Sequence, residues 1–402
     1  MTHPTTDTAH GSPLEVLRVS TRLGLTSFGG PVAHLGYFRA EYVERRRWLS
    51  EAAYADLVAL CQFLPGPASS QVGIGVGMMR AGLLGGLMAW IGFTLPSAIA
   101  LILFALGLQA FDLADAGWLH GLKVVAVAVV TQAVWGMTKN LAPDRPRATI
   151  AILAAIAVMT AQTALMQIAV IVAGALIGWR LLRVPEGAAG ADTLHVRVPR
   201  ALVVTAWLLF FGLLVLLPVG RQFIESQALA MVDTYTRVGS IVFGGGHVVL
   251  PLMQAEVVPT GWVTQDEFIA GYGAAQAVPG PLFTFAAYLG AVQAPGPNGW
   301  AGGLIAVIAI FAPSFLLVAG TLPVWAALRG RAVFQSALRG VNAAVVGILG
   351  AALYDPVFTS AIFAVEDVAL ALAAFGALQV WKAPPWLVVL LTAVGGQALA
   401  TW

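Results

Sequence analysis

Leu64-Pro65-Gly66-Pro67-Ala68-Ser69-Ser70-Gln71 decides the fold, because its Pro-Gly-Pro returns 214 residues later (279 − 65) as Pro279-Gly280-Pro281. Short apolar pieces flank both copies, at 52–64 and 68–80 in the first half and at 266–278 and 282–294 in the second. A membrane-crossing helix takes about 20 residues, so pieces of this length cannot cross alone. The pattern predicts two half-helices that meet at each Pro-Gly-Pro as a re-entrant hairpin.

A second motif repeats in the same order along the chain. Phe28-Gly29-Gly30 returns as Phe243-Gly244-Gly245, a shift of 215 residues (243 − 28). Further pairs follow with little drift: Ala40-Glu41 and Ala255-Glu256, Trp48 and Trp262, Gln62 and Gln276, Pro96-Ser97 and Pro313-Ser314, and Gly121-Leu122 and Gly340-Val341. An ordered series of matches indicates an internal duplication. The Gly-Gly segments, 14–40 and 228–252, are predicted to be interrupted helices.

The composition places the chain in a membrane. Of its 402 residues, 59% are hydrophobic and 10% are charged, whereas soluble domains carry about 25% charged residues. Asp, Glu, Lys and Arg are absent from 81–111, 148–179, 201–220 and 268–328. These stretches lack the regular polar–apolar alternation of an outer-membrane barrel. The sequence therefore predicts an all-α polytopic membrane protein in contact with the lipid bilayer.

Several functional classes are excluded. The net charge is +2 and the basic residues fall in loops, not in one cluster, so no nucleic-acid partner is expected. Cys61 is the only cysteine, which excludes a disulfide framework and a multi-cysteine metal site, and neither a metal nor another cofactor is predicted. Residues 1–12 are polar, carry no removable signal pattern and are expected to form a cytoplasmic tail.

The duplication predicts four regions: the tail at 1–12, a first repeat at 13–183, a linker with one connecting helix at 184–219, and a second repeat at 220–402. After its hairpin, each repeat holds four fuller spans. They are predicted at 82–111, 120–138, 148–163 and 165–183, and at 299–326, 332–353, 357–380 and 385–402, with the connecting span at 201–219. This count gives nine crossings, four plus four plus one.

Loop arginines and lysines predict the orientation, because cytoplasmic loops are enriched in both. In the first half, the basic loops at 45–47, 139–147 and 180–200 are expected inside, and the acidic 112–117 loop outside. In the second half, Arg329, Arg331 and Lys382 are expected inside, which places the 354–356 turn outside. Equivalent loops then lie on opposite sides, as in the inverted repeats of many secondary transporters.

Broken helices predict an anion site. A helix that starts inside the membrane presents unpaired N–H groups and a partial positive charge, which suit a small anion. Proline fits the first helical position, and glycine permits a sharp turn and close approach of a ligand. The predicted anion-binding residues are Gly29, Gly30, Gly66, Pro67, Ala68, Ser69, Ser70, Gln71, Arg80, Gly244, Gly245, Gly280, Pro281, Leu282 and Thr284. The alternative is that Pro-Gly-Pro only kinks a helix and that Ser and Thr bond back to their own carbonyls.

Four titratable residues near the Gly-Gly motifs have two interpretations each. Glu41 and Glu256 are repeat-related carboxylates that could carry protons or gate the pathway, or could pair with nearby arginines. The nearby arginines are Arg39, Arg45 and Arg46. His34 and His247 could likewise carry protons or contact the anion, or could pack beside the glycine turns.

Three further polar residues also carry alternatives. Arg80 could attract the anion or could be an interfacial arginine that extends its charge to water. Gln62 and Gln276 each lie three residues before a Pro-Gly-Pro, where an amide is costly in an apolar helix. Both are predicted to brace the hairpin or to touch the substrate.

These motifs resemble a known family. Phe28-Gly29-Gly30-Pro31-Val32-Ala33-His34 resembles the FGGPxAH signature of the chromate ion transporter family, and Leu64–Gln71 and Met79-Arg80-Ala81-Gly82 resemble its next blocks. The second half, with Phe243–His247 and Ala275–Thr284, is similar to the second domain of the long, two-domain members. The resemblance covers nearly the whole chain.

The resemblance implies a function that the spacing alone would leave at an inverted-repeat transporter for an anion. It implies a bacterial inner-membrane protein that exports chromate, confers chromate resistance and meets sulfate as a similar anion. The family is thought to use the proton motive force, and the chain has no Walker-type phosphate-binding loop. An anion channel and an uptake carrier for sulfate or another oxyanion are the alternatives. An enzyme is not expected, because the spans 82–111 and 268–328 lack a catalytic constellation. The oligomeric state stays open, a homodimer included.

Overall fold

The computed structural model describes residues 11–111, 117–161, 163–183, 199–243, 246–325 and 331–401. In the first half the helices are α1 Pro13–Thr26, α2 Gly30–Phe38, α3 Glu51–Phe63, α4 Ala68–Phe111, α5 Gly117–Leu141, α6 Arg145–Thr160 and α7 Ala164–Leu181. α8, Arg200–Gly220, joins the halves. The second half has α9 Gln227–Ile241, α10 Val249–Val257, α11 Gln265–Ala275, α12 Phe285–Val292, α13 Gly299–Thr321, α14 Ala332–Ala352, α15 Val365–Gln379 and α16 Pro385–Ala400.

Short π- and 3₁₀-helical turns complete the helical part of the described chain. The π turns span Arg39–Arg45 and Leu353–Phe358, and the 3₁₀ turns span Gly246–Val248, Leu282–Thr284 and Leu322–Val324. No strand occurs among the described residues. The predicted all-α class is confirmed.

Six of the described helices are long and apolar enough to cross a membrane: Ala68–Ala110, Gly117–Leu141, Ala164–Leu181, Arg200–Gly220, and the stretches Gly299–Val324 and Ala332–Phe358 that include a terminal turn. The protein is therefore a polytopic membrane protein. Only 11% of the apolar stretch of α8 is buried inside the protein, so most of the surface of this helix is left for lipid.

The other predicted spans differ from the observed helices in their bounds. The span predicted at 357–380 begins at Val365, because the Asp367 carboxylate accepts the N–H groups of Phe363 and Ala364 and fixes the helix start there. The span predicted at 148–163 ends at Thr160, because the Thr163 hydroxyl caps the next helix. The number of crossings stays a prediction.

Side-chain caps define the hairpins. The hydroxyl of Ser50 accepts the N–H of Ala53 at the start of α3. At the start of α11, Thr264 and Glu267 satisfy each other's backbone N–H groups in a capping box. Both half-helices therefore start at fixed residues, and both end just before their Pro-Gly-Pro.

The return arms of the hairpins also match in the two halves. α4 loses helical geometry at Ala81 (φ −145°, ψ 31°) and Gly82 (φ 65°, ψ −161°). The arm before this break folds against the arm after it, with Gly77 directly on the carbonyl of Gly85. In the second half, Gly290 of α12 packs in the same way on Gly302 of α13. Small residues permit this close approach of two backbones.

Helices of each half pack against helices of the other half, and we call these the exchanged helices. α5 packs on α15 and α16, and α14 packs on α6 and α7. α5 and α16 are antiparallel, since Gly117 lies against Ala400 and Gly121 against Thr392. The same arrangement recurs where Gly178 of α7 meets Ser336 and Gly174 meets Ala344 on α14.

The directions of equivalent helices are opposed. α6 follows α5 after a turn of three residues, 142–144, and so returns antiparallel to it. α14 is antiparallel to α7, which in turn follows α6 after a short turn. α14, the repeat equivalent of α5, therefore runs opposite to α5. This is the geometry that an inverted repeat requires, whereas the placement of the two halves across a bilayer stays a prediction.

Candidate functional site

Both Pro-Gly-Pro stretches break their helices. α3 ends at Phe63 and α4 begins at Ala68, and α11 ends at Ala275 before the 3₁₀ turn at Leu282. The predicted half-helices are therefore separate elements that meet at a bend. The simple kink, which would keep one helix running through the prolines, does not describe either copy.

Each bend is held by the Gly-Gly segment of the other half. The N–H of Gly66 donates to the carbonyl of Val242 (2.6 Å), and the N–H of Gly280 donates to the carbonyl of Ser27 (3.0 Å). Ser27 and Val242 are themselves 215 residues apart (242 − 27) and each precedes a Phe-Gly-Gly. The repeat motifs thus meet in two crosswise pairs.

Glycine is required at both bends. Gly66 has φ +118° and Gly280 has φ +103°, which side-chain-bearing residues rarely adopt. A Cβ on Gly66 would lie 2.5 Å from the hydroxyl of Ser314, and a Cβ on Gly280 would lie 2.9 Å from the hydroxyl of Ser97. Ser97 and Ser314 are the repeat-related serines that follow Pro96 and Pro313, so the surroundings of the two bends match.

A cavity of about 60 Å³ lies where the Gly29–Gly30 turn faces the second bend. The residues that line it are Gly29, Gly30, Val129, Gln132, His247, Ala275, Gln276, Val278, Gly280, Leu282, Leu378 and Pro385. One water needs about 10–15 Å³ measured in this way, so the cavity holds several waters or one tetrahedral oxyanion.

Helix starts surround the cavity. α2 begins at Gly30 after Gly29 (φ +96°), α16 begins at Pro385, and the 3₁₀ turn begins at Leu282. The starts of α2 and of the 3₁₀ turn offer unpaired N–H groups and partial positive charge to the space in front of them, whereas Pro385 has no N–H to donate. The C-terminal end of α15 also borders the cavity, and its free carbonyl groups would carry partial negative charge. The Leu378 carbonyl near that end accepts a hydrogen bond from the Gln132 side chain (3.3 Å), which satisfies it.

Neutral side chains complete the lining. His247 Nδ1 and the Tyr272 hydroxyl share a hydrogen bond of 2.7 Å. Gln276 Nε2 is buried, and the Gln276 side chain interacts with the Tyr272 hydroxyl beside it. No Asp, Glu, Lys or Arg is among the described lining residues. The cavity therefore offers donors without a carboxylate that would repel an anion.

The first bend carries a buried polar cluster of its own. His34 Nδ1 lies 3.3 Å from the hydroxyl of Ser69, near the start of α4. Gln71 Nε2 donates to the carbonyl of Pro65 (2.6 Å), which braces the bend. His34 Nε2, the Ser70 hydroxyl and Gln71 Oε1 are buried without a partner among the described residues. Pro67 and Ala68 lead directly into this helix start.

The second bend is less polar. Adding 214 to Ser69 and Gln71 gives Phe283 and Phe285, so neither polar residue has a counterpart. The Thr284 hydroxyl donates to the carbonyl of Pro281 (2.7 Å), which is the local bond that the alternative interpretation expected. An anion contact by Thr284 stays a prediction, as it does for Pro281.

The charged residues of interest lie in ion pairs. Glu41 accepts hydrogen bonds from Arg45 (3.0 Å) and Arg46 (2.6 Å), and Glu256 is held by Arg237 (2.5 Å). Arg80 lies 3.3 Å from Glu15. None of them lines the cavity in the described structure. Their roles in proton transfer, gating or anion attraction stay predictions.

The remaining predicted residues have different surroundings. Gln276 lines the cavity, whereas its repeat partner Gln62 is exposed. Gly244 and Gly245 lie outside the described residues. Sequence reasoning missed Gln132, because nothing in a long apolar helix marks one glutamine as facing a cavity. It noted the Pro-Ser repeat but did not assign those serines to the bends.

Comparison with known proteins identifies the family. The chromate transporter family model matches twice, over residues 14–179 and 229–397. The chain is 29% identical to a chromate transport protein of Pseudomonas aeruginosa over 95% of its own length and 90% of that protein's. No solved structure matches the chain significantly.

Other relatives match over most of their length. The chain is 25% identical to a chromate transport protein of Cupriavidus metallidurans, over 86% of its own length and 83% of that protein's. It is also 25% identical to an uncharacterised transporter of Methanocaldococcus jannaschii, over 84% and 83%. Because the family model covers both halves, the chain belongs to the chromate transporter family, which consists of membrane transporters and not of enzymes.

Proposed function

We propose that the protein is a secondary-active transporter that exports chromate, CrO₄²⁻, and also meets sulfate as a competitor. The observation that carries this proposal is the cavity between Gly29–Gly30 and Gly280, which joins helix starts with the buried amide of Gln276. The names of the Pseudomonas and Cupriavidus relatives support the substrate.

The mode of anion binding follows from the neutral lining. A doubly negative ion in a low-dielectric site is stabilised by oriented dipoles that need no rearrangement when it arrives. A fixed arginine in the same place would bind more tightly but would also hinder release, which a transporter needs. The amide of Gln276 and the backbone N–H groups of the helix starts fill this role in the proposal.

Crosswise contacts suit alternating access. Since each bend is held by the opposite half, a movement of one half relative to the other changes both bends together. In this proposal the proton motive force drives the movement, with the protein in the bacterial inner membrane and its N-terminus in the cytoplasm. His34 and His247, near the two Gly-Gly turns, stay candidates for contact with the anion or for gating.

Flux measurements test the proposal. Purified protein in proteoliposomes should take up radiolabelled chromate with saturation, sulfate should compete, and an imposed pH gradient should drive accumulation. Flux that never builds a gradient would favour the channel alternative. No chromate flux above that of protein-free liposomes would contradict the proposed substrate.

A pair of matched variants tests the site. Gln276→Leu removes a donor to a charged ligand, a bond worth about 1.5–3 kcal/mol, so half-saturation should need roughly tenfold to a hundredfold more chromate. Gln62→Leu, at the exposed repeat position, is the control and should change half-saturation much less. Equal effects of the two variants would count against the cavity as the binding site.

A further inference from the structure

A titratable side-chain pair outside the cavity connects two helices that line it. His120 Nε2 on α5 lies 2.6 Å from Asp367 Oδ1 on α15. The Asp367 side chain is 7% exposed, and its other oxygen, Oδ2, accepts the N–H groups of Phe363 (2.9 Å) and Ala364 (3.0 Å). The ring of His120 also stacks on Phe363. One carboxylate oxygen is therefore committed to the backbone and the other to the imidazole.

The same two helices meet again at the cavity. Gln132 of α5 donates to the carbonyl of Leu378 and lies 3.3 Å from Oε1 of Gln379 on α15. Gln132 and Leu378 both line the cavity. His120 lies 12 residues before Gln132 (132 − 120), about 18 Å along a helix that rises about 1.5 Å per residue. A change at the His120–Asp367 contact therefore acts on a helix pair whose other end forms the cavity wall.

The equivalent position in the second half carries a permanent charge. Gly121 corresponds to Gly340, a shift of 219, so His120 corresponds to Arg339 (120 + 219). Arg339 faces Asp144 at the start of α6: hydrogen bonding by Arg147 and, more weakly, the charge of Arg339 lower the pKa of Asp144. Each half thus sets a basic residue against a carboxylate in the first turn of a helix. An arginine side chain stays charged, whereas a histidine side chain can bind and release a proton.

The other charged side chains near the His120–Asp367 pair are ion-paired with each other or exposed. The other described charged groups around the pair are Lys123 on α5, Asp266 on the first turn of α11, and Glu366 beside Asp367. Lys123 and Asp266 bond to each other at 2.8 Å, and Glu366 is exposed. Lys123 is therefore paired with a carboxylate other than Asp367.

We propose that the His120–Asp367 pair binds the proton that is coupled to transport. This inference rests on the proposed function, because it assigns the coupling ion of that transporter. Before protonation the imidazole is neutral and His120 Nε2–H donates to the Asp367 carboxylate, so the pair carries one net negative charge. A proton from water adds at Nδ1, the ring becomes imidazolium, and the bond then joins two opposite charges and is stronger. No other bond forms or breaks, and release of the same proton restores the neutral imidazole.

The membrane side is consistent with the direction of coupling. The sequence-based orientation places the start of α5, and with it His120, at the outer face. Protons held at the outer face by the proton motive force would then load this pair, whereas the arginine at the equivalent position 339 keeps its charge. One end of the molecule becomes proton-sensitive and the other does not.

Two variants test the assignment in proteoliposomes. His120→Gln keeps a donor to Asp367 but cannot bind a proton, and His120→Arg installs the residue of the equivalent position. Both should still exchange labelled for unlabelled chromate without a gradient. A one-unit pH gradient can sustain about tenfold accumulation per coupled proton, and both variants should lose that accumulation. Proton movement with chromate flux, followed by an internal pH indicator, should disappear as well.

Lys123→Gln is the matched control, since it removes the neighbouring ion pair without changing His120, and it should keep coupling. Gradient-driven accumulation in either His120 variant equal to that of the wild type would overturn the inference. A parallel loss of exchange and accumulation in both variants would also overturn it, because it would show a structural role. Wild-type protein without exchange would instead contradict the proposed function itself.

Discussion

At the scale of single residues, Gly66 and Gly280 determine whether the bends can form. Their positive φ angles and the 2.5 Å and 2.9 Å approaches to Ser314 and Ser97 leave no room for a side chain. Their N–H groups also make the bonds that join the halves. Backbone conformation, packing and long-range hydrogen bonding thus depend on the same two residues.

Alanine at either bend should impair transport. The left-handed conformation costs an L-residue about 1–2 kcal/mol, and the added methyl displaces its neighbour. A shift of about 1 Å at a site that positions its ligand can cost roughly a hundredfold in rate. Chromate flux through Gly66→Ala and Gly280→Ala should therefore fall about tenfold to a hundredfold, and the bulkier Gly66→Leu and Gly280→Leu should abolish it while the protein stays folded in membranes.

Gly261→Ala separates the cost of backbone strain from the cost of close packing. Gly261 has φ +72°, but a Cβ there meets no atom within 4 Å. This variant should keep most of the flux, since it carries only the backbone strain. If Gly280→Ala transported as well as Gly261→Ala, close packing at the bend would not matter for function.

At the scale of elements, close glycine contacts hold the exchanged helices together. Gly340 of α14 packs on the backbones of Gly174 and Gly178 of α7, and Gly121 of α5 packs on α16. Contacts of this kind gain van der Waals energy because no side chain separates the helices. The exchange of helices therefore depends on small residues at a few positions.

A methyl group at Gly340 should destabilise the protein. The new Cβ would overlap the carbonyl of Gly174, and overpacking typically costs about 1–3 kcal/mol. Gly340→Ala should lower the melting temperature of the purified protein in detergent. Gly350→Ala on the same helix is the control, because a Cβ there meets nothing within 4 Å. Equal melting temperatures for the two variants would show that this contact contributes little.

The elements predicted from sequence and those found differ for physical reasons. Short apolar pieces around Pro-Gly-Pro predicted separate half-helices, because helix length and proline chemistry are local properties. The pairing of Gly66 with Val242 is a contact across the two halves, and no local pattern encodes it. The late start of α15 depends on Asp367, whose capping role needs its backbone partners in view.

The candidate site was predictable to a similar degree. The sequence repeat singles out Gly29, Gly30, Gln276 and Gly280, and all four line the cavity. Gln132 escaped notice, since the side of a uniformly apolar helix that faces a cavity is set by packing. The ion pair of Glu256 with Arg237 likewise joins residues from different helices. The sequence pattern suggests as partners only the arginines near Glu41 in the first half.

At the scale of the whole molecule, α5 and α14 are equivalent helices that run in opposite directions. Opposed directions place their ends at opposite faces of the molecule. The arginine and lysine distribution then predicts the end of α5 inside and the end of α14 outside.

Cysteine labelling tests the inversion. In a Cys61→Ser background, Pro143→Cys lies just after α5 and Tyr354→Cys just after α14, both at exposed positions. A membrane-impermeant maleimide added to intact spheroplasts should label Tyr354→Cys and spare Pro143→Cys. Lysed cells should show labelling of both. Labelling of both sites in intact spheroplasts would place the two helix ends on one side and contradict the inverted topology.

The location of bound chromate tests the central claim most directly. A structure of the protein determined with chromate should show chromium, identified by its anomalous scattering, between the Gly29–Gly30 turn and Gly280, with Gln276 donating to an oxygen of the ion. Chromium bound elsewhere, with this cavity empty at saturating chromate, would contradict the account.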